Sequence, residues 1–567
     1  MSALLEVEDL TFTYRRATHP ALRGVSLVVE PGEVLLVAGP SGCGKSTLIR
    51  SINGLIPHAY SGTLQGQVRL DGRNVAEMRL REVARYVGTV LQDPAKQIVG
   101  ATVEAELAFG PENLGLPRTD IRERIGEVAE RSGIRPLLGR ETAQLSGGER
   151  QLVAVAGILM MRPRIFVVDE PLANLDPVTA TRLLGILRAL ADAGEAVVIV
   201  EHRVEDVLDL RPDRVLYLDD GREVYQGAVA GFLAVADPRA VKLPFDVVLE
   251  RVRQESAGGR SPGPLAMPWP VGAETPRGAP LRLEFVDVRA GFGAQEVLHG
   301  ISAGLGARET VAVLGPNGSG KTTLFRTAMH LLPVTSGSIL VDGASTRERS
   351  VAELAQVFGY VFQSPSQMLF ARTVREELLF GPRNLGRDPE TFDALIADVL
   401  RRTALDQLEG ILDRPPLTLS FGQQKRLALA IALALHPVTL LLDEPNAGQD
   451  HRTATRFMAE VAAIPQLESL YFVTHDVDLA LTHADRILLL RDGRVVADGP
   501  PARVIEDEDR WIGCNLRPTS LMRANARWRA GQASFLDATT LAQWVVTMER
   551  PAGARQTGRG GLGSTGR

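Results

Sequence analysis

Short apolar runs with no internal alternation recur along the 567-residue chain. EVLLVAG (33–39), RIFVVDEP (164–171), ETVAVLG (309–315) and TLLLDEP (439–445) are examples. Unbroken Val, Ile and Leu over four or five positions predicts strands covered on both faces. Between such runs lie stretches with helical spacing. TDIRERIGEVAERSG (119–133) puts Ile121, Ile125, Val128 and Ala129 on one face, with Gly133 as its stop. DPETFDALIADVLRR (388–402) opens with an Asp-Pro cap and lines up Phe392, Leu395, Ile396, Val399 and Leu400. Strands alternating with helices predict an α/β fold, a parallel sheet flanked by helices. The most apolar stretch, LALAIALALHPVTLLL (427–442), is shorter than the ~20 residues of a spanning helix and is interrupted by His436-Pro437. It predicts a buried helix followed by a buried strand.

The pattern occurs twice. Lys45 and Lys321 are 276 positions apart, Gln92 and Gln363 271, Ser146 and Ser420 274, Glu170 and Glu444 274, and His202 and His475 273. So constant an offset means that a whole domain is duplicated. The expected organisation is a first domain over 1–249, a linker over 250–280, a second domain over 281–523 and a tail over 524–567. Pro, Gly and Ala between 256 and 280 favour an extended connector. The Arg/Gly-rich end, GARQTGRGGLGSTGR, points to a disordered tail.

Composition removes some alternatives. A net charge of −5 gives no general attraction to nucleic acid or to an anionic membrane. Two cysteines, Cys43 and Cys514, argue against a disulfide framework or a zinc site and suit a reducing cytosol. The start, MSALLEVEDL, is acidic and lacks the pattern of a signal peptide.

The chemistry begins with GPSGCGKST (39–47) and GPNGSGKTT (315–323). Gly39, Gly42 and Gly44 let the backbone curl with its amides inward, and Gly315, Gly318 and Gly320 repeat this. Such a nest, closed by a helix N-terminus, binds phosphate. Ser41, Thr47, Asn317 and Thr323 belong to the same loops. Lys45 and Lys321 reach the outer phosphates, while Ser46 and Thr322 offer hydroxyl oxygen to Mg²⁺. Two sites for a nucleoside triphosphate are expected.

Both DEP runs end an apolar strand in two acids. Asp169 and Asp443 are placed to hold Mg²⁺ through water, and Glu170 and Glu444 to orient and deprotonate the attacking water. His202 and His475 end further apolar strands at the same distance from the acids, which points to a phosphate-facing role.

LSGGERQ (145–151) and LSFGQQK (419–425) complete the set, and here the chain resembles the ATP-binding-cassette ATPases over both halves. The resemblance implies two P-loop cores, each with an antiparallel β subdomain and a helical signature subdomain. It implies two cassettes pairing head to tail around two Mg·ATP, with Gln92 and Gln363 joining the catalytic and metal sets. Ser146, Gly147 and Gly148 would then bind the γ-phosphate held by Lys321, and Ser420, Gly422 and Gln423 the one held by Lys45. Tyr14 and Phe292 fall where the family stacks an aromatic on adenine. ANLD (173–176) and AGQD (447–450) match the loop that crosses the interface. Phe421, Glu149 and Arg203 depart from the usual pattern, yet both glutamates and both histidines are present, so both sites are expected to hydrolyse ATP.

Past each Gln, 92–115 and 363–386 share T-V, E-L, F-G-P and N-L-G. This text resembles the ATPases of energy-coupling-factor importers of vitamins and transition-metal ions. The fused form with VEHR (200–203) is most similar to members assigned to thiamine precursors such as hydroxymethylpyrimidine. The resemblance implies an integral membrane coupling subunit, a small substrate-capturing membrane protein and a place on the cytoplasmic face of the membrane. A tandem sugar-importer ATPase or a cassette protein acting on ribosomes are the alternatives.

Overall fold

The computed structural model describes residues 3–15, 17–91, 94–172, 175, 177–257, 280–293, 295–447, 449, 451–529 and 535–549. Each half carries a six-stranded sheet. In the first the order is Arg222–Gly227, Arg214–Asp219, Val34–Ala38, Ala196–Val200, Ile165–Asp169 and Val87–Val90. All neighbours are parallel except the first pair. The second half repeats this with Phe358–Val361, Thr439–Asp443, Ser469–Thr474, Thr310–Leu314, Arg486–Arg491 and Arg494–Gly499. The apolar runs are therefore central strands, and Val34, Leu35, Leu36 and Val37 are wholly buried. Their carboxyl ends carry the phosphate loops, the acid pairs and the histidines, where an α/β sheet opens a crevice for a ligand.

A separate four-stranded antiparallel sheet accompanies each core: Leu5–Tyr14 flanked by Leu22–Val29 and Gly62–Leu70, and Leu281–Phe292 flanked by Gln295–Gly306 and Val334–Val341. The predicted helices form at Arg118–Ser132 and Phe392–Arg402, burying the residues named above. Gly133 closes the first with φ 61°, and the Asp388 side chain caps a short turn leading into the second. The apolar stretch 427–442 becomes the end of the helix Phe421–Leu433 and the strand Thr439–Asp443. Among the described residues no helix is long and apolar enough to cross a membrane.

The ends of the domains differ from expectation. Helix Phe245–Ala257 runs through the boundary expected at 249, and Ser520–Trp528 runs through 523. The tail is ordered in part: helix Ala538–Glu549 buries Leu541, Ala542, Val545 and Val546. It packs on Phe245–Ala257 of the first half, where Arg253 meets Glu549 at 2.6 Å. The stripe 541–546 is amphipathic, but the surface that it covers lies in the other domain. Residues 258–279 of the expected linker and 550–567 of the tail lie outside the described residues.

Candidate functional site

In the first loop Gly39, Gly42 and Gly44 all have positive φ. A Cβ on Gly44 would meet the Ala21 carbonyl at 2.6 Å, so the loop requires glycine there for space as well as for conformation. Lys45 Nζ donates to the carbonyls of Gly39 (2.7 Å) and Pro40 (2.8 Å), and Lys321 Nζ to those of Gly315 (2.7 Å) and Pro316 (3.0 Å). Each lysine thus lies folded across its own loop. The helices Lys45–Ile52 and Lys321–Ala328 start at these residues with their N-termini toward the nest.

The acid pairs sit at the ends of Ile165–Asp169 and Thr439–Asp443. Thr322 Oγ1 donates to Asp443 Oδ1 at 3.0 Å, and the Tyr360 hydroxyl donates to Asp443 Oδ2 at 3.2 Å. Burial, and then the neighbouring Glu444, push Asp443 up to about 6; burial and Glu170 push Asp169 up to about 7. Hydroxyl and carboxylate oxygens beside a phosphate nest fit a hard divalent cation, whose charge offsets the cost of holding these carboxylates buried and ionised.

Glu170 and Glu444 both have left-handed backbone, φ 44° and 49°. His475 Nδ1 lies 3.0 Å from Glu444 Oε2, and Lys321 Nζ 3.9 Å from Oε1. In the first half His202 Nδ1 is 3.6 Å from Glu170 Oε1 and 3.8 Å from Glu201 Oε2. Burial works against ionisation of both catalytic-position glutamates, but the adjacent histidine and lysine hold each carboxyl below its usual range. Both are carboxylates near neutral pH and can accept a proton.

Ser146 and Ser420 cap the helices Gly147–Leu159 and Phe421–Leu433. Each Oγ accepts the amide three residues on, and Glu149 and Gln423 answer with a reciprocal bond. Ser146, Gly147 and Ser420 are exposed, and the Phe421 ring is 41% exposed beside them. Gly148 is buried and Gly422 half-buried. Tyr14 is tied through its hydroxyl to Thr47 (3.1 Å) and Arg50 (2.8 Å) at the edge of the first loop, and Phe292 is exposed at a strand end. Gln363 is exposed after Phe358–Val361. Gln92, and Ala173, Asn174, Asp176, Gly448 and Asp450 of the interface loops, lie outside the described residues.

The halves meet beside the histidines. Lys242 Nζ pairs with Asp478 across the boundary at 2.6 Å, and the Lys242 amide donates to the His202 carbonyl. Ser520 Oγ accepts the Phe245 amide, and Arg517 binds Asp209. A cavity of ≈ 350 Å³ lies between them, lined by His202, Lys242, Gln449, His475, Asp476 and Asp478 among others. Sequence reasoning missed Tyr360 and Lys242, whose partners Asp443 and Asp478 are distant in the chain, and Glu201, which binds the distant Leu172 amide as well as its neighbour His202.

Comparison with known proteins gives the family. The family model described as ABC transporter matches residues 22–173 and 298–447. A putative ABC transporter ATP-binding protein of Methanosarcina acetivorans is 34% identical over 551 residues, covering 91% of this chain and 89% of the relative. One from Streptococcus pneumoniae is 32% identical over 535 residues, covering 92% and 94%. Among solved structures, cbiO1 from Clostridium perfringens, part of the ABC transporter complex cbiONQ, aligns with a TM-score of 0.39 at 30% identity. It covers 46% of this chain and 98% of its own. Two phosphate loops, two acid pairs and two capped signatures in two tandem α/β cores, matched twice by one family model, make this chain a member of the ABC transporter family, an ATPase with two cassettes.

Proposed function

We propose that the chain powers an energy-coupling-factor type importer of a small molecule, a vitamin such as a thiamine precursor or a transition-metal ion, from the cytoplasmic face of the membrane. The observation that carries this reading is exposed apolar side chains at matching places in the duplicated stretch after each Gln, Val99 and Phe109 in the first half and Phe370 and Phe380 in the second. Phe109 is 50% exposed; Phe370 and Phe380 are 64% and 50% exposed, with their rings 4.8 Å apart. Glu106 and Glu377 each accept two backbone amides in the loop before their helix, which fixes these patches alike in both cassettes. Apolar patches on an ATPase surface fit helices of an integral coupling subunit, which in turn carries a small substrate-capturing protein.

In this reading the cassettes close head to tail. Lys45 and Lys321 leave their loop carbonyls for the outer phosphates, Ser46 and Thr322 with Asp169 and Asp443 would hold Mg²⁺, and Tyr14 and Phe292 support the bases. When bound, Mg²⁺ neutralises charge on the phosphates. Glu170 and Glu444 take the proton of the attacking water as the β–γ phosphate bond breaks, with His202 and His475 orienting them. Ser146 and Ser420 complete the site of the opposite cassette. ATP binding favours the closed state, and hydrolysis removes the ligand that holds it.

The test is recovery of the chain from cell membranes. A small integral membrane protein should copurify and be lost from the Phe109→Asp/Phe380→Asp chain while ATP binding survives. Copurification with ribosomes or nucleic acid instead would overturn the reading.

A further inference from the structure

Lys425 lies on the first turns of the helix that Ser420 caps. Its side chain is 1% exposed, and Nζ donates to the carbonyls of Glu444 (3.3 Å), Ala447 (3.3 Å) and Pro445. The Phe457 ring covers the ammonium, its centroid 5.8 Å away. Burial pushes the Lys425 amine down to about 7, and the three carbonyl acceptors offset that cost by matching the three donors of its ammonium form. Those carbonyls belong to the segment that follows the catalytic strand at the Lys321 site. The signature helix and that segment are therefore tied at one point, and neither can shift far without the other.

Among the described residues of the first cassette there is no such tie. Gln151 occupies the corresponding position, equally buried, and its Nε2 has no hydrogen-bond partner. An amide also offers one donor fewer. The two cassettes thus differ at a buried position that, in the second, joins the signature helix to the segment after Glu444.

We infer that Lys425 is a positioning residue that carries the state of the catalytic loop at the Lys321 site to the Ser420 signature, and so to the ATP held by Lys45. Coupling between the two sites then runs through the second cassette and has no equivalent through the first. This rests on the head-to-tail pairing proposed above, since only that pairing makes Ser420 part of the Lys45 site.

The test is amide hydrogen exchange on the full chain carrying Lys45→Ala, so that Mg·ATP loads the Lys321 site. Two peptides report separately. Residues 145–148 face the loaded site if the pairing is right; residues 419–424 report the tie. ATP should slow exchange in both, in 419–424 by about fivefold or more, the usual range of coupling between sites. Adding Lys425→Met keeps the aliphatic stem over Phe457 and removes the donors. It should abolish the slowing at 419–424 and leave that at 145–148. Equal slowing at 419–424 with and without Lys425, or none in the parent, overturns the inference. Silence at 145–148 in the parent shows instead that the pairing itself is wrong. Lys425→Gln, which installs the residue of the first cassette, serves as the second variant should Lys425→Met unfold. A purely structural lysine would lower the melting temperature of either variant without changing the ATP-dependent difference.

Discussion

The two candidate catalytic corners use the same parts but are not equally tight. At the second, Glu444 has His475 at 3.0 Å and Lys321 at 3.9 Å, and Asp443 is held by Thr322 and Tyr360. At the first, His202 is divided between Glu170 and Glu201, at 3.6 and 3.8 Å. Glu201 is fully buried and accepts the amides of Leu172 and His202. Its counterpart, Thr474, carries no charge. A duplicated domain can therefore keep the lysine, the acid pair and the histidine of each corner and still diverge through the residues behind them, because these set where the histidine rests.

The largest test of this comparison is removal of each proposed base. Glu170→Gln and Glu444→Gln should each lower ATP turnover, and the double variant should lose ~10²–10⁴ in rate. Steady-state phosphate release decides it: full turnover in Glu170→Gln with none in Glu444→Gln would mean that only the tighter corner hydrolyses.

The next effect concerns what holds the two halves. Ending the chain after residue 537 removes Leu541, Ala542, Val545 and Val546 from the first cassette. At ~1.5–3 kcal/mol for each large apolar side chain, this should cost on the order of 5 kcal/mol, read by urea unfolding. An unchanged midpoint would mean that the C-terminal helix contributes nothing to the first cassette.

A pH comparison sharpens the contrast between the acids. Asp169 rises from 3.8 to about 7 in the fold, and Asp443 to about 6. A raised folded value gives stability that is present in acid and lost as pH climbs through that value. Between pH 4 and 8 the wild type should therefore lose stability relative to Asp169→Asn, by on the order of a few kcal/mol, and by less relative to Asp443→Asn. Parallel pH profiles of nucleotide-free protein would show that these carboxyls are not desolvated.

The smallest effect belongs to Phe421. Phe421 is 41% exposed, at the first position of its helix, so Phe421→Gly should cost no more than ~1 kcal/mol of stability and raise turnover by no more than about twofold. A large gain would show that the ring obstructs closure over the Lys45 site.

Much of this was legible in the chain. The unalternating runs became central strands because both of their faces are covered, and the 3.6-residue stripes of 118–132 and 392–402 became buried helix faces. The loops, acid pairs and histidines fell at strand ends as their spacing predicted. The C-terminal helix was misread because the Arg/Gly text beyond it dominates the composition, while its apolar stripe is short. Tyr360 was hidden for another reason: a tyrosine in an apolar run looks like core until Asp443 is found within reach of its hydroxyl.

The sequence by itself determined the duplication, the strand and helix order and the phosphate-binding chemistry, since each depends on residues near one another in the chain or on a repeat visible along it. Only the tertiary structure decided that Lys425 clasps the loop after Glu444, that Lys242 reaches Asp478 across the boundary, and that the last helix belongs to the first cassette. Those are pairings of buried charge or apolar surface between distant segments. Their partners are chosen by packing, which no local pattern records.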